Sequence, residues 1–184
     1  MRISLTGPEA SGKSTLTAAL AAHFNASFVP EYAREYLSAH GPAYALPDLE
    51  TIARAQLAAE DAAAAARSVN SLLFCDTDFT VIKVWAENAF GTCPPWVEAA
   101  LRRPRYALTL LLAPDLPWHP DPLREHPNPA DRWRFHARYR QLLQELNWPF
   151  IEIAGPAETR LPRAVAAVLK LTQAPPNPVP TIQQ

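Results

Sequence analysis

Gly7-Pro8-Glu9-Ala10-Ser11-Gly12-Lys13-Ser14 is the stretch that decides the fold of this chain. It fits the phosphate-binding P-loop pattern G-x-x-x-x-G-K-[ST] without a gap. The run before it, Met1-Arg2-Ile3-Ser4-Leu5-Thr6, reads as a short buried strand. The run after it, Ser14 to Leu20, reads as a helix with Leu16, Leu20 and Phe24 on one face. Gly7 and Gly12 let the backbone wrap closely around a phosphate with its amides pointing inward, and the helix N-terminus adds a favourable dipole. Lys13 is placed to reach the β- and γ-phosphates, and Ser14 to hold Mg²⁺ through its hydroxyl. An accidental glycine-rich turn would not have this strand–loop–helix context. The stretch therefore predicts binding of a nucleoside triphosphate with Mg²⁺, through Gly7, Glu9, Ala10, Ser11, Gly12, Lys13, Ser14 and Thr15.

The 184 residues suffice for one well-buried domain. A hydrophobic content of 48% and a net charge of −1 describe a globular chain with no bulk electrostatic attraction to nucleic acid or to a membrane surface. No segment reaches the ~18 apolar residues of a spanning helix. The first strand opens at the N-terminus, so no signal peptide is expected. Two cysteines, Cys75 and Cys93, fit a reduced, cytoplasmic setting and no metal-ligand spacing. Lysine occurs only at Lys13, Lys83 and Lys170, which makes a chance lysine at the P-loop position improbable. The 20 prolines are about twice the usual ~5% share. They cluster between Pro114 and Pro129 and between Pro175 and Pro180.

Further along the chain, Ser27 to Pro30 reads as a second strand, and Glu31 to Ser38 as a short helix. Pro47-Asp48 opens a longer helix that continues through Ala66. Leu72 to Asp76 is a third strand, after which Asp78 looks like a helix N-cap. Tyr106 to Ala113 has the continuous apolar character of a strand covered on both faces. Asp131 to Leu146 reads as a helix with Phe135, Tyr139, Leu142 and Leu146 inward. Phe150 to Ile153 is the fifth strand and Ala157 to Leu171 the last helix. Residues 173–184 lack periodicity and are expected to form a proline-rich tail after a domain spanning 1–172. Strands alternating with helices predict an α/β sandwich around a parallel sheet, with ligands at the carboxyl ends of the strands.

The charged motifs fall at those ends. Glu31, Arg34 and Glu35 would share one helix face. A surface salt bridge is the plain account of them, but their position beside the P-loop favours a substrate site. Asp76 closes an apolar strand, where a charge needs a partner; this resembles a Walker B environment holding Mg²⁺. Asp78 is at least as well explained by capping. The proline-rich loop Asp115 to Pro127 carries Arg124, with Arg132 shortly after it, and arginines on a closing lid would neutralise a phosphate and shed water. His119 and His126 have no partners at metal spacing and read as structural or exposed. Tyr32, Tyr36, Trp85 and Trp118 could stack on a planar ring, although aromatics at helical spacing are usually core.

In this order, G-P-E-A-S-G-K-S-T, V-P-E-Y-A-R-E-Y, F-C-D-T-D-F and P-D-x-P-W…D-P-L-R resemble the NadR-type ribosylnicotinamide kinase family, over about residues 1–172. The resemblance implies a three-layer P-loop kinase fold with a five-stranded parallel sheet of order 2-3-1-4-5. It also implies ATP-dependent phosphorylation of the 5′-hydroxyl of nicotinamide riboside. Members with several activities carry a nucleotidylyltransferase domain, and some a DNA-binding domain; this chain is expected to correspond to the kinase part alone. After D-T-D-F, family members often continue with Thr and Gln. This chain has Thr80-Val81-Ile82-Lys83-Val84-Trp85, on the helix that would border the acceptor pocket, so the departure bears on which acceptor is used.

On this reading Lys13 and Ser14 hold the donor, and Asp76 orients metal waters or the acceptor. Glu31 takes the hydroxyl proton, with Asp76 as the alternative base. Arg34 fixes the acceptor within a substrate set of Glu31, Tyr32, Arg34, Asp76, Asp78, Trp85 and Trp118. Arg124 and Arg132 close over the transferred phosphate, and Gly155 is a neighbour of the adenine by analogy with P-loop kinases. A kinase of another nucleoside or nucleotide, and a regulatory ATPase with a protein partner, are the competing readings.

Overall fold

The computed structural model describes residues 1–68 and 71–173. The proline cluster from Pro175 to Pro180 lies outside them. In chain order the elements are β1 (Arg2–Thr6), α1 (Lys13–His23), β2 (Ser27–Val29), α2 (Tyr32–His40), α3 (Leu46–Ala65), β3 (Leu73–Asp76), α4 (Phe79–Phe90), α5 (Pro95–Leu101), β4 (Leu108–Leu112), α6 (Pro129–Glu145), β5 (Phe150–Ile153) and α7 (Ala157–Gln173). The strands form one parallel sheet of order β2-β3-β1-β4-β5. β1 is central. It pairs with β3 through Ile3 and Phe74 and with β4 through Ile3 and Leu108.

Side-chain alternation assigns a helical layer to each face. Ile3, Leu5, Phe74, Leu108, Leu110 and Leu112 pack with Leu16 and Leu20 of α1 and with Ala164 and Val168 of α7. On the other face, Leu73, Cys75 and Leu111 pack with Leu49 and Ile52 of α3, Phe79 and Ile82 of α4, Val97 of α5 and Leu142 of α6. The result is the three-layer arrangement that the alternation of elements predicts. Among the described residues, no helix is long and apolar enough to cross a membrane.

Two local differences from the sequence reading have physical reasons. The seven-residue α5 was not foreseen, because two turns with only Val97, Ala100 and Leu101 buried carry little periodic signal. Its start is nonetheless marked by Pro95 in the first turn, where a missing N–H costs nothing. The last helix runs on to Gln173, past Leu171, so Gln173 belongs to the helix and not to the tail.

Candidate active site

The P-loop joins β1 to α1 at the carboxyl end of the central strand. Gly7 has φ +138, and a Cβ there would lie 2.6 Å from the Leu112 carbonyl oxygen. Only glycine fits between the loop and β4. Gly12, at φ +84, is the N-cap of α1, and no side chain caps that helix. The first amides of α1 therefore remain available to an anion. Lys13 Nζ donates to the carbonyls of Gly7 (2.9 Å) and Pro8 (3.0 Å), which holds the ammonium over the loop. The buried Ser11 hydroxyl closes the turn by donating to Pro8 O at 2.7 Å.

Arg160, at the start of α7, braces the loop from behind. Its guanidinium donates to the carbonyls of Ser11 (2.7 Å), Ala113 (3.1 Å) and Gly155 (2.9 Å) and pairs with Asp115. Asp115 in turn accepts the Gly155 amide at 2.7 Å. Four chain segments meet on this one arginine. The sequence reading missed it, and a lone arginine in an amphipathic helix offers no signal for such a role.

A cavity of about 430 Å³ opens in front of the P-loop. The donor side is lined by Gly7 to Thr15. The acceptor side is lined by Glu31, Arg34 and Leu37, by Val81, Trp85 and Asn88 of α4, and by Phe135 and Tyr139 of α6. Residues 121–126 roof it. Val81, Trp85 and Asn88 follow helical spacing, so Asn88 could have been read from Trp85. Phe135 and Tyr139 were foreseen as inward-facing and prove to be both core and cavity wall.

Asp76 is buried at the end of β3, behind this lining. Burial pushes its carboxyl above the usual range, while the adjacent Ser14 hydroxyl pulls it down. Its Oδ1 has no hydrogen-bond partner. An unpartnered buried carboxylate oxygen beside a P-loop hydroxyl is a hard-oxygen pair suited to Mg²⁺. Glu31 occupies the N-cap position of α2 without a side-chain capping bond. Its Oε1 accepts the Thr77 hydroxyl at 3.3 Å, and its Oε2 lies 3.9 Å from Arg34 Nε. Thr77 sits at φ +86, a left-handed conformation costly for a β-branched residue, and this turn aims its hydroxyl at Glu31.

The remaining expected residues fall in several places. Arg34 donates to Asp121 of the roof at 3.2 Å through both terminal nitrogens, so its charge is engaged with the lid. Tyr44 donates to Glu125 at 3.1 Å, a second tie on that side. Asp78 is the N-cap of α4: its Oδ1 accepts the Thr80 amide at 2.9 Å, its buried Oδ2 has no hydrogen-bond partner, and the residue lies outside the cavity lining. Trp85 lines the cavity with its ring 4.7 Å from that of Tyr44. Tyr32 packs beside Tyr36, and Trp118 donates its indole N–H to Glu9; neither lines the cavity. Arg124 lines it, whereas the buried Arg132 donates to Pro114 O at 3.5 Å and Gly155 bonds Asp115 outside it.

A family model described as an AAA domain matches residues 2–160. This chain belongs to that family. The AAA domain is 33% identical over 155 residues to the trifunctional NAD biosynthesis/regulator protein NadR of Escherichia coli (strain K12), covering 82% of this chain and 37% of the relative. The chain thus spans well under half the length of the curated relative it matches. Among solved structures, it superimposes on a NadR protein in complex with NAD and AMP-PNP with a TM-score of 0.77 at 23% identity, over 97% of this chain and 51% of that one. On a NadR protein in complex with NR the TM-score is 0.75 at 23% identity, over 95% and 52%. These superpositions establish the fold of the AAA domain as that of the NadR structures, in agreement with the resemblance read from its motifs.

Proposed function

We propose that this protein is an ATP-dependent kinase that transfers the γ-phosphoryl group to the 5′-hydroxyl of nicotinamide riboside, giving nicotinamide mononucleotide. The observation that carries the reading is a single cavity with the P-loop on one wall and Glu31, backed by Asp76, on the other. A nucleotide switch needs the first wall only. Similarity to NadR, a protein of NAD biosynthesis, supports the choice of acceptor. So does the wall itself: the indole of Trp85 in the cavity lining suits a planar, positively charged pyridinium ring.

In the reaction, Lys13 leaves the Gly7 and Pro8 carbonyls and meets the β- and γ-phosphate oxygens, while the α1 amides hold the rest of the triphosphate. Ser14 and Asp76 would hold Mg²⁺, which supplies charge neutralisation on the phosphates when bound. Thr77 holds Glu31 in place to accept the acceptor's hydroxyl proton, as the 5′-oxygen bonds to phosphorus and the bond to the β-phosphate oxygen breaks. Arg124 faces the transferred group from the lid, and the roof keeps water away. The transition state is largely dissociative, so placement by these groups contributes more than the basicity of Glu31. The reducing cytoplasm is the compartment we assign, in keeping with free thiols at Cys75 and Cys93.

The test is ADP formation with MgATP against nicotinamide riboside, purine and pyrimidine nucleosides, their monophosphates and no acceptor. Turnover with nicotinamide riboside alone, lost in Glu31→Ala while AMP-PNP still binds, is the expected result. Preference for another nucleoside replaces the acceptor, and hydrolysis indifferent to any acceptor overturns the kinase reading.

A further inference from the structure

The middle positions of a P-loop are free of any requirement from the phosphate, whose partners are backbone amides and the lysine. Glu9 occupies one of them, and its carboxylate is turned onto the lid. Its Oε1 accepts the His126 amide at 2.7 Å and the Trp118 indole N–H at 3.3 Å; its Oε2 accepts the Glu125 amide at 2.9 Å. An ionised carboxylate offers about four acceptor sites. Three of them are filled here, all from the lid. Those donors also absorb the charge of a carboxylate that would otherwise face an incoming triphosphate.

Arg124 immediately precedes Glu125 and lines the cavity. Its amide donates to Asp121 O at 3.0 Å, and its guanidinium donates to His119 O, so residues 119–124 form a closed turn. Fixing the next two amides on the P-loop sets where that turn meets the phosphates. Arg34 and Tyr44 tie the same turn to the acceptor side, through Asp121 and Glu125.

We propose that Glu9 is a positioning residue that fastens the lid to the P-loop and thereby places Arg124 over the phosphoryl group in transit. The role of Arg124 rests on the kinase reading above; the latch itself does not. Two measurements on the full chain separate them. The first is residue-resolved amide exchange with AMP-PNP bound. In Glu9→Gln, which keeps the size but turns an N–H₂ toward the lid donors, the Glu125 and His126 amides should exchange at least about tenfold faster. Amides of the β1–β4 core should be unchanged. The second is kinetic. In Glu9→Gln, kcat for phosphoryl transfer should fall about tenfold to a hundredfold with KM for ATP nearly constant, and Arg124→Ala should remove most of that sensitivity.

Unchanged exchange at Glu125 and His126 overturns the latch. Losses that multiply in the Glu9→Gln, Arg124→Ala double variant overturn its action through Arg124. If no acceptor is phosphorylated by the parent protein, the kinase reading fails while the exchange result still decides the latch.

Discussion

Replacing Arg160 by leucine should cost about 4 kcal/mol of folding stability. Arg160 is 3% exposed and holds three carbonyls, Ser11, Ala113 and Gly155, together with the Asp115 carboxylate. Leucine fills much of the same space and offers none of these groups a donor. A buried acceptor left unpaired costs about 1–3 kcal/mol, but the losses share one site and are not additive. Asp115 also retains the Gly155 amide and some solvent, so the applicable range is about 3–5 kcal/mol for breaking one side of a buried pair. Against a typical stability of about 5–15 kcal/mol this is a large fraction. With a urea slope near ~2 kcal/mol/M, the unfolding midpoint by circular dichroism should fall by about 2 M at unchanged slope. Arg160→Lys keeps the charge but not the fork and should recover less than half of the loss. AMP-PNP affinity should fall as well, because the Ser11 carbonyl belongs to the P-loop. A midpoint for Arg160→Leu within about 0.5 M of the parent would refute the reasoning.

Three further outcomes follow from named contacts. Lys13→Ala should lower turnover at least about a hundredfold with an unchanged melting temperature, since the lysine holds only loop carbonyls; a turnover near the parent's removes the P-loop from the mechanism. Gly7→Ala should lower both thermal stability and nucleotide affinity, because its Cβ meets the Leu112 carbonyl at 2.6 Å and its φ is +138; wild-type melting and AMP-PNP titration would contradict that clash. Burial pushes the Glu60 carboxyl up to about 7 from 4.5, against the pull of the Tyr106 hydroxyl and Arg2. The folded state therefore keeps its proton to higher pH than the unfolded chain. This group's contribution is most favourable below about 4.5 and is lost as pH rises through about 7. Denaturation of the parent and of Glu60→Gln between pH 4.5 and 8 should show the parent losing stability relative to the variant; parallel curves would contradict a raised Glu60.

Much of this site could be read along the chain because its parts are local. Gly7 to Ser14 brings inward-facing amides, a helix start and one lysine together within eight residues. Asp76 and Glu31 were legible because each stands where an apolar strand ends, and strand ends in a parallel sheet face the ligand. The capping role of Asp78 was equally open to the sequence, since its partner Thr80 is two residues away. Trp118 and Arg34 were legible as residue types but not by partner. Their hydrogen bonds run to Glu9, 109 residues distant, and to Asp121, 87 residues distant.

By itself the sequence determined the P-loop, the parallel α/β layers and the carboxylates that follow the second and third strands. Periodicity and short motifs are properties of neighbouring residues, so they survive without a partner being known. Tertiary structure alone decided that Glu9 and Arg34 grip the lid from opposite sides and that Arg160 braces the loop from behind. It likewise decided that Phe135 and Tyr139 wall the cavity. Each of these depends on segments far apart in the chain arriving within hydrogen-bond reach. The packing of α6 and α7 onto the two faces of the sheet places Phe135, Tyr139 and Arg160, and the loop between β4 and α6 carries the lid to Glu9 and Arg34.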